Sequence, residues 1–289
     1  MSETAFSFPC DGDSLVGILH QPEGVAQTRG VLFVVGGGPQ YRAGGHRQLT
    51  LWSRHLCAEG YPVFRFDYRG MGDAHGSFRG FEDVGADIRA AIDHFFAISP
   101  GLKELVLWGE CDASSAILFY AHRDPRIKGL VLLNPWVRTE EGEAKAILRF
   151  YYLQRLLEPS FWRKVLSLRF NPFASVKSAL GLMQKARAGA QNVSGGGSHN
   201  EDLGGSSLPE RLFAGFNRFA GPVMLVLSGR DLIAREFEQL IETDSNWQQM
   251  LASKALTRHD FAEGDHTFSS AAQRNQVVTW GVDWLKAWP

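Results

Sequence analysis

Short apolar runs alternate along this chain with longer amphipathic stretches. "GVLFVV", "YPVFRF", "ELVLWG", "IKGLVLL" and "GPVMLVL" are continuous apolar segments, the pattern of strands buried on both faces. Between them, "QLTLWSRHLCAEG" and "FEDVGADIRAAIDHFFAIS" repeat their apolar residues at helical spacing, the second through Val84, Ile88, Ile92 and Phe95. Strands alternating with helices predict a mostly parallel sheet flanked by helices on both faces. At the N-terminus, "AFSFPC" and "LVGILHQP" flank the turn-forming "DGD", which predicts an antiparallel hairpin closed by Pro22 and Gly24.

The alternation breaks over residues 139 to 218, where no strand is evident. "EAKAILRFYYLQRLLEPSFWRKVLSLRF" reads as two amphipathic helices separated around Pro159, and a stretch rich in Gly, Ser and Asn follows. The sheet pattern resumes at "GPVMLVLSGRD" and ends in the amphipathic "SSAAQRNQVVTWGVDWLKAW". The expected organisation is therefore a core of residues 1–138 and 219–289 with an inserted helical cap over 139–218, flexible at about 194–207. Phe150, Tyr151, Phe161 and Trp162 are candidates to line a pocket from the cap, or simply to bind it to the core.

Composition narrows the functional classes. A chain of 289 residues, 44% hydrophobic, can bury a large core. Its net charge of −1 supplies no overall field for nucleic acid or an anionic membrane, so neither is an expected partner. There is no apolar run of about 18 residues, and "MSETAFSF" lacks the features of a signal peptide, so stable membrane insertion is not expected and a cytoplasmic location is. Cys10, Cys57 and Cys111 are far apart and odd in number, which argues against both a disulfide framework and a metal site. Neither a metal nor an organic cofactor is expected. Cys57 lies on an apolar helical stripe with Leu49, Trp52 and Leu56 and reads as core, as does Cys10 in the hairpin.

Cys111 differs. "LVLWGECDASSAI" reads as a strand, a sharp turn and a helix with the cysteine at the apex, flanked two positions away by small Gly109 and Ala113. The related motif G-x-S-x-G lifts a nucleophile above a sheet, and "GECDA" departs from it at the nucleophile and the last position. Two partners follow in the order such sites use: Asp231, just past the strand "LVLSGRD", and His266, in the loop "AEGDHTF" before the final helix. The strand ending in "LLNPW" offers no competing acid. Each residue also has an ordinary role open to it, Cys111 in packing and Asp231 as a helix cap. Backbone N–H groups of Gly38 and Asp112 are the candidate oxyanion donors, and Gly37, Gln40, Tyr41 and Arg42 are candidate pocket residues from the glycine-rich loop. Glu110 and Asp112 bracket the cysteine with negative charge, which opposes a thiolate. Glu110 is expected to reach a polar partner, an arginine or a substrate hydroxyl, and Asp112 to contribute chiefly its N–H.

The segments "GGGPQYRAGGHRQ", "FDYRGMGDAHG", "WGECDAS", "SGRD" and "GDH" resemble those of the α/β-hydrolase superfamily, and more closely the hydrolases associated with the exosortase A system. The resemblance implies an α/β-hydrolase fold with a mostly parallel central sheet, and a triad of Cys111, Asp231 and His266. It also implies a link to exopolysaccharide or surface-protein sorting. The expected activity is hydrolysis of an ester, thioester or related acyl group carried by a small-molecule or acylated substrate. A cysteine-dependent acyltransferase and a non-catalytic binding module on the same fold are the alternatives, and neither the acyl group nor the oligomeric state can be read from the chain.

Overall fold

Asp11 and Gly12 make the first turn of the molecule, both with positive φ (47° and 88°). That backbone suits a two-residue hairpin loop because its twist matches the flanking strands. It joins β1 (Ser2–Cys10) antiparallel to β2 (Asp13–Gln21). The computed structural model describes residues 1–38, 40–137 and 207–288.

The hairpin begins an eight-stranded sheet. The other strands are β3 (Arg29–Val34), β4 (Val63–Asp67), β5 (Glu104–Glu110), β6 (Ile127–Leu133), β7 (Val223–Ser228) and β8 (Leu256–Phe261). They are ordered β1-β2-β4-β3-β5-β6-β7-β8, and from β4 onward every neighbouring pair is parallel. The continuous apolar runs occupy the middle of this sheet, where β4 and β7 are buried at every position. β8, at the edge, is only half-buried and carries Arg258 and Asp260, charges that discourage pairing with another chain.

Helices α1 (Gln48–Ala58), α2 (Gly85–Ile98) and α3 (Asp112–Tyr120) precede the insertion. α4 (Leu208–Arg218), α5 (Leu232–Thr243), α6 (Ser245–Ala252) and α7 (Ala271–Ala287) follow it. α1 packs on α7, where the Trp52 indole N–H donates to the Arg274 carbonyl at 2.9 Å. Beneath them Phe33, Trp52 and Trp108 form a buried aromatic cluster, with Trp52 and Trp108 centred 5.6 Å apart. α2 and α3 pack against each other, and α4 packs on α3.

Leu208–Arg218 falls within the stretch read from sequence as the cap, yet it is a core helix. Leu212 and Phe216 are fully buried, and the Arg211 guanidinium lies over Phe119 of α3 at 4.7 Å while pairing with Glu82. Phe150, Tyr151, Phe161 and Trp162 lie outside the described residues, as does the Gly/Ser-rich stretch up to Ser206. Cys10 and Cys57 are buried. Among the described residues no helix is long and apolar enough to cross a membrane.

Candidate active site

The site is built where parallel strands end and their loops meet. Cys111 follows β5 and precedes α3 with φ 58° and ψ −128°, a conformation that L-residues seldom adopt. Such strain costs on the order of 1–3 kcal/mol and persists only where the surroundings enforce it. Here they do. A side chain at Gly109 would meet Ile117 at 2.6 Å and the Ala113 backbone at 2.8 Å, so only glycine permits this closeness of strand and helix. The Cys111 N–H donates to the Leu133 carbonyl at 2.8 Å. Ser114 pins the turn further: its hydroxyl contacts the carbonyls of Gly109 (2.7 Å) and Leu133 (3.0 Å) and accepts the Leu133 N–H (3.1 Å).

Asp231 directly follows the turn after β7 and caps α5, accepting the N–H groups of Ile233 at 3.1 Å and Ala234 at 3.2 Å. The same carboxylate meets Nδ1 of His266 at 2.8 Å. Capping and orienting the imidazole, opposed readings from sequence, are performed together. The ring is close enough to Cys111 for each to shift the other's protonation. Of the three residues proposed from sequence as a triad, Asp231 and His266 share this 2.8 Å hydrogen bond and Cys111 is their neighbour, with Cys111 only 7% exposed and the His266 side chain 35% exposed.

Asn134 has no counterpart in the sequence reading. It is fully buried with φ 47°, and its amide donates to the His266 carbonyl (3.1 Å) and the Ser228 hydroxyl (3.0 Å) while accepting the Ser228 N–H (2.9 Å). Ser228 in turn donates to the Asp265 carbonyl at 3.0 Å. Together they hold the histidine loop against the ends of β6 and β7. The available signal was an asparagine closing a strand just before a proline, since asparagine tolerates the left-handed region better than most residues.

Electrostatics set the proton positions. Burial disfavours a charged His266, but its hydrogen bonds to Asp231 and Cys111 outweigh that and raise its pKa to about 10. Burial pushes the Cys111 thiol up, with Asp112 adding to the effect, while His266 and the Asp112 N–H work in the other direction.

Both flanking acids have polar partners. Glu110 accepts the side-chain amide of Gln48, so its polar partner within the chain is on α1 and is a glutamine in place of an arginine. Loss of hydration raises its pKa to about 8. Asp112 contributes more than its N–H: its carboxylate accepts the Gly37 N–H at 2.7 Å. Gly38 follows in the same loop. The Gln40 N–H meets the Met71 sulfur at 3.3 Å, and Tyr41 is 57% exposed. Arg42, expected at the pocket mouth, is instead tied to β4 and the loop after it, because its guanidinium pairs with buried Asp67 and with Asp73 at 2.8 Å. A separate cavity of about 1060 Å³, lined by Phe8, Cys10, His94 and Phe119 among others, includes none of Cys111, Asp231 and His266.

The α/β-hydrolase fold recurs in solved structures. An esterase from Pyrococcus furiosus is similar over 99% of this chain and 91% of its own, with a TM-score of 0.65 at 14% identity. The esterase domain of a Rhodothermus marinus protein is similar over 98% of each chain, with a TM-score of 0.58 at 19% identity. A proline iminopeptidase from Mycobacterium smegmatis gives 0.55 at 16% identity over 98% of both chains. No curated protein matches the sequence. The model of one protein family, described as serine aminopeptidase, S33, matches residues 27–268.

Proposed function

The chain belongs to the serine aminopeptidase, S33 family of hydrolases, and from that premise we propose that it cleaves an ester, thioester or related acyl bond with Cys111 as its nucleophile. The observation that carries this reading is Cys111 at a strained turn beside the His266–Asp231 pair, whose carboxylate lies 2.8 Å from His266 Nδ1. Cysteine stands where the family description implies serine, and a thiol forms the same kind of acyl intermediate.

In the proposed reaction Cys111 and His266 act as a thiolate–imidazolium pair, the charged ring being favoured by its contacts with Asp231 and Cys111, and the sulfur attacks the substrate carbonyl carbon. The C–S bond forms and the carbonyl electron pair moves to oxygen, where the N–H groups of Asp112 and Gly38 receive the charge. Collapse breaks the bond to the leaving group, which takes the proton from the imidazolium. His266 then deprotonates water, the water oxygen attacks the thioester, and release of the acid restores the thiolate–imidazolium pair. Asp231 holds the ring and stabilises its positive form without itself taking a proton.

The resemblance to exosortase-associated hydrolases supports a substrate from exopolysaccharide or surface-sorting chemistry, and a cytoplasmic setting completes the reading. The test is intact-protein mass spectrometry after exposure to p-nitrophenyl butyrate. A butyryl adduct that maps to Cys111 and disappears in Cys111→Ala is the expected result. Undiminished turnover in Cys111→Ala would remove the cysteine from the mechanism.

A further inference from the structure

We propose that the Asp112 carboxylate is a positioning residue that clamps the Gly36–Gly38 loop onto the elbow, aligning the Gly38 N–H with the Asp112 N–H at one oxyanion position. The inference rests on the reading of Cys111 as nucleophile and extends it to a side chain with no assigned part in the reaction.

The geometry begins with a bond between distant segments. Oδ1 of Asp112 accepts the Gly37 N–H at 2.7 Å, 75 residues away in the chain. Beside it, a Cβ placed on Gly36 would lie 2.5 Å from that same carboxylate oxygen and 2.5 Å from the Glu110 carbonyl, so the loop backbone presses directly against the elbow. Gly37 and Gly38 then follow with φ of 86° and 74°. Consecutive glycines in the left-handed region have little intrinsic preference for one conformation, so an external bond must select it.

The clamp also decides which donors remain. Gly37 cannot supply the oxyanion while its N–H is held by Asp112. Among the described residues the Gly38 N–H has no partner, and the space beside its Cα is open for 4 Å. The Asp112 N–H is next to Cys111 and lowers its thiol pKa. On this proposal these two groups are the donors that would face a tetrahedral intermediate.

A carboxylate in this position has an opposite effect on the nucleophile. Its charge adds to the burial that pushes the Cys111 thiol up. The groups facing Asp112 are Cys111, His266 and Tyr68, with Gly37 and Ala113 donating to it. Clamp and charge are therefore separable: asparagine keeps an acceptor without the charge, and alanine keeps neither.

Three measurements on Asp112→Asn and Asp112→Ala test the clamp: amide hydrogen exchange of a peptide spanning Gly36–Gly38, kcat and KM for p-nitrophenyl butyrate, and the pH dependence of alkylation by iodoacetamide. In Asp112→Ala, loop exchange should accelerate at least about tenfold and kcat fall about tenfold or more with KM little changed, since oxyanion donors act in the transition state. In Asp112→Asn, exchange and kcat should stay within about threefold of wild type. Alkylation should shift to lower pH in both variants, a change that loop damage alone does not produce. An Asn variant as impaired as the Ala variant would overturn the clamp, as would unchanged exchange and kcat in Asp112→Ala. Wild-type protein alone also tests it, because a Gly37 amide exchanging at the rate of an unfolded chain has no clamp. Loop exchange needs no substrate, so it can fail or succeed independently of the Cys111→Ala result that decides the nucleophile.

Discussion

His266 Nδ1 lies 2.8 Å from Oδ2 of Asp231, and the same oxygen accepts the Ala234 N–H at 3.2 Å. One carboxylate therefore caps a helix and orients an imidazole. The helix fixes the carboxylate, and the carboxylate fixes the ring, so a loop histidine gains the rigidity of a secondary-structure element.

Asp231→Asn separates these two roles. Asparagine is as good a cap as aspartate, so stability should change by less than about 1 kcal/mol. Its amide can present a donor to Nδ1 and select the wrong tautomer, so kcat should fall by about 10²–10⁴. Asp231→Ala should lose the cap as well, at about 1 kcal/mol of further destabilisation. Urea unfolding and steady-state kinetics on both variants check the pair of expectations.

Asn134 is the next support of the same loop. Asn134→Ala leaves the buried Ser228 N–H without its acceptor and frees the His266 carbonyl. The expected cost is about 1–3 kcal/mol of stability. A fall in kcat should accompany it, with KM little altered, because the base rather than the pocket is displaced. A variant that loses stability but keeps full kcat would show that the Asp231 contact positions His266 unaided.

Removing either end of the thiol–imidazole contact should shift the other. The His266 contact draws the Cys111 thiol downward, so His266→Ala should move iodoacetamide alkylation to higher pH. Cys111 is one of the groups that hold His266 near a pKa of about 10, so in Cys111→Ala the histidine should titrate at a lower pH. Alkylation rates and NMR titration of the imidazole measure the two shifts.

Much of this arrangement was legible before the fold was known, for a physical reason. The elbow is a local structure: a strand, a tight turn flanked by small residues and a helix are encoded within "LVLWGECDASSAI". Asp231 and His266 were recognisable because they stand at strand ends in a fixed chain order. Partners set by which elements become neighbours were not legible. Gln48 meets Glu110 only because β3, whose following loop leads to α1, lies next to β5 in the sheet. Arg42 follows the glycine loop and so looked free for substrate, but β4 pairs on the other side of β3 and brings Asp67 to it. The cap boundary was missed at α4 because amphipathic periodicity alone does not say which body a helix packs on.

Glu110 provides the remaining prediction, and its sign follows from where its charge is tolerated. Loss of hydration is the largest influence on it and raises its pKa from the ordinary carboxylate range to about 8, against smaller opposing contributions from His266 and Gln48. The Oε1 atom of Gln48 is buried without a partner, and a protonated Glu110 is a donor suited to it. In the unfolded chain Glu110 ionises near its usual value of about 4.3. Between that pH and about 8 the folded state holds a proton that the unfolded state releases, so this group lowers stability progressively as pH rises through the window. Glu110→Gln imitates the neutral acid at every pH. It should therefore match wild type near pH 4, become the more stable protein as pH approaches 8, and keep a constant advantage beyond that. Urea unfolding of both proteins across this range measures the difference. A stability gap that does not grow with pH would mean that Glu110 is already charged in the folded protein at neutral pH, with the negative charge accommodated beside Cys111.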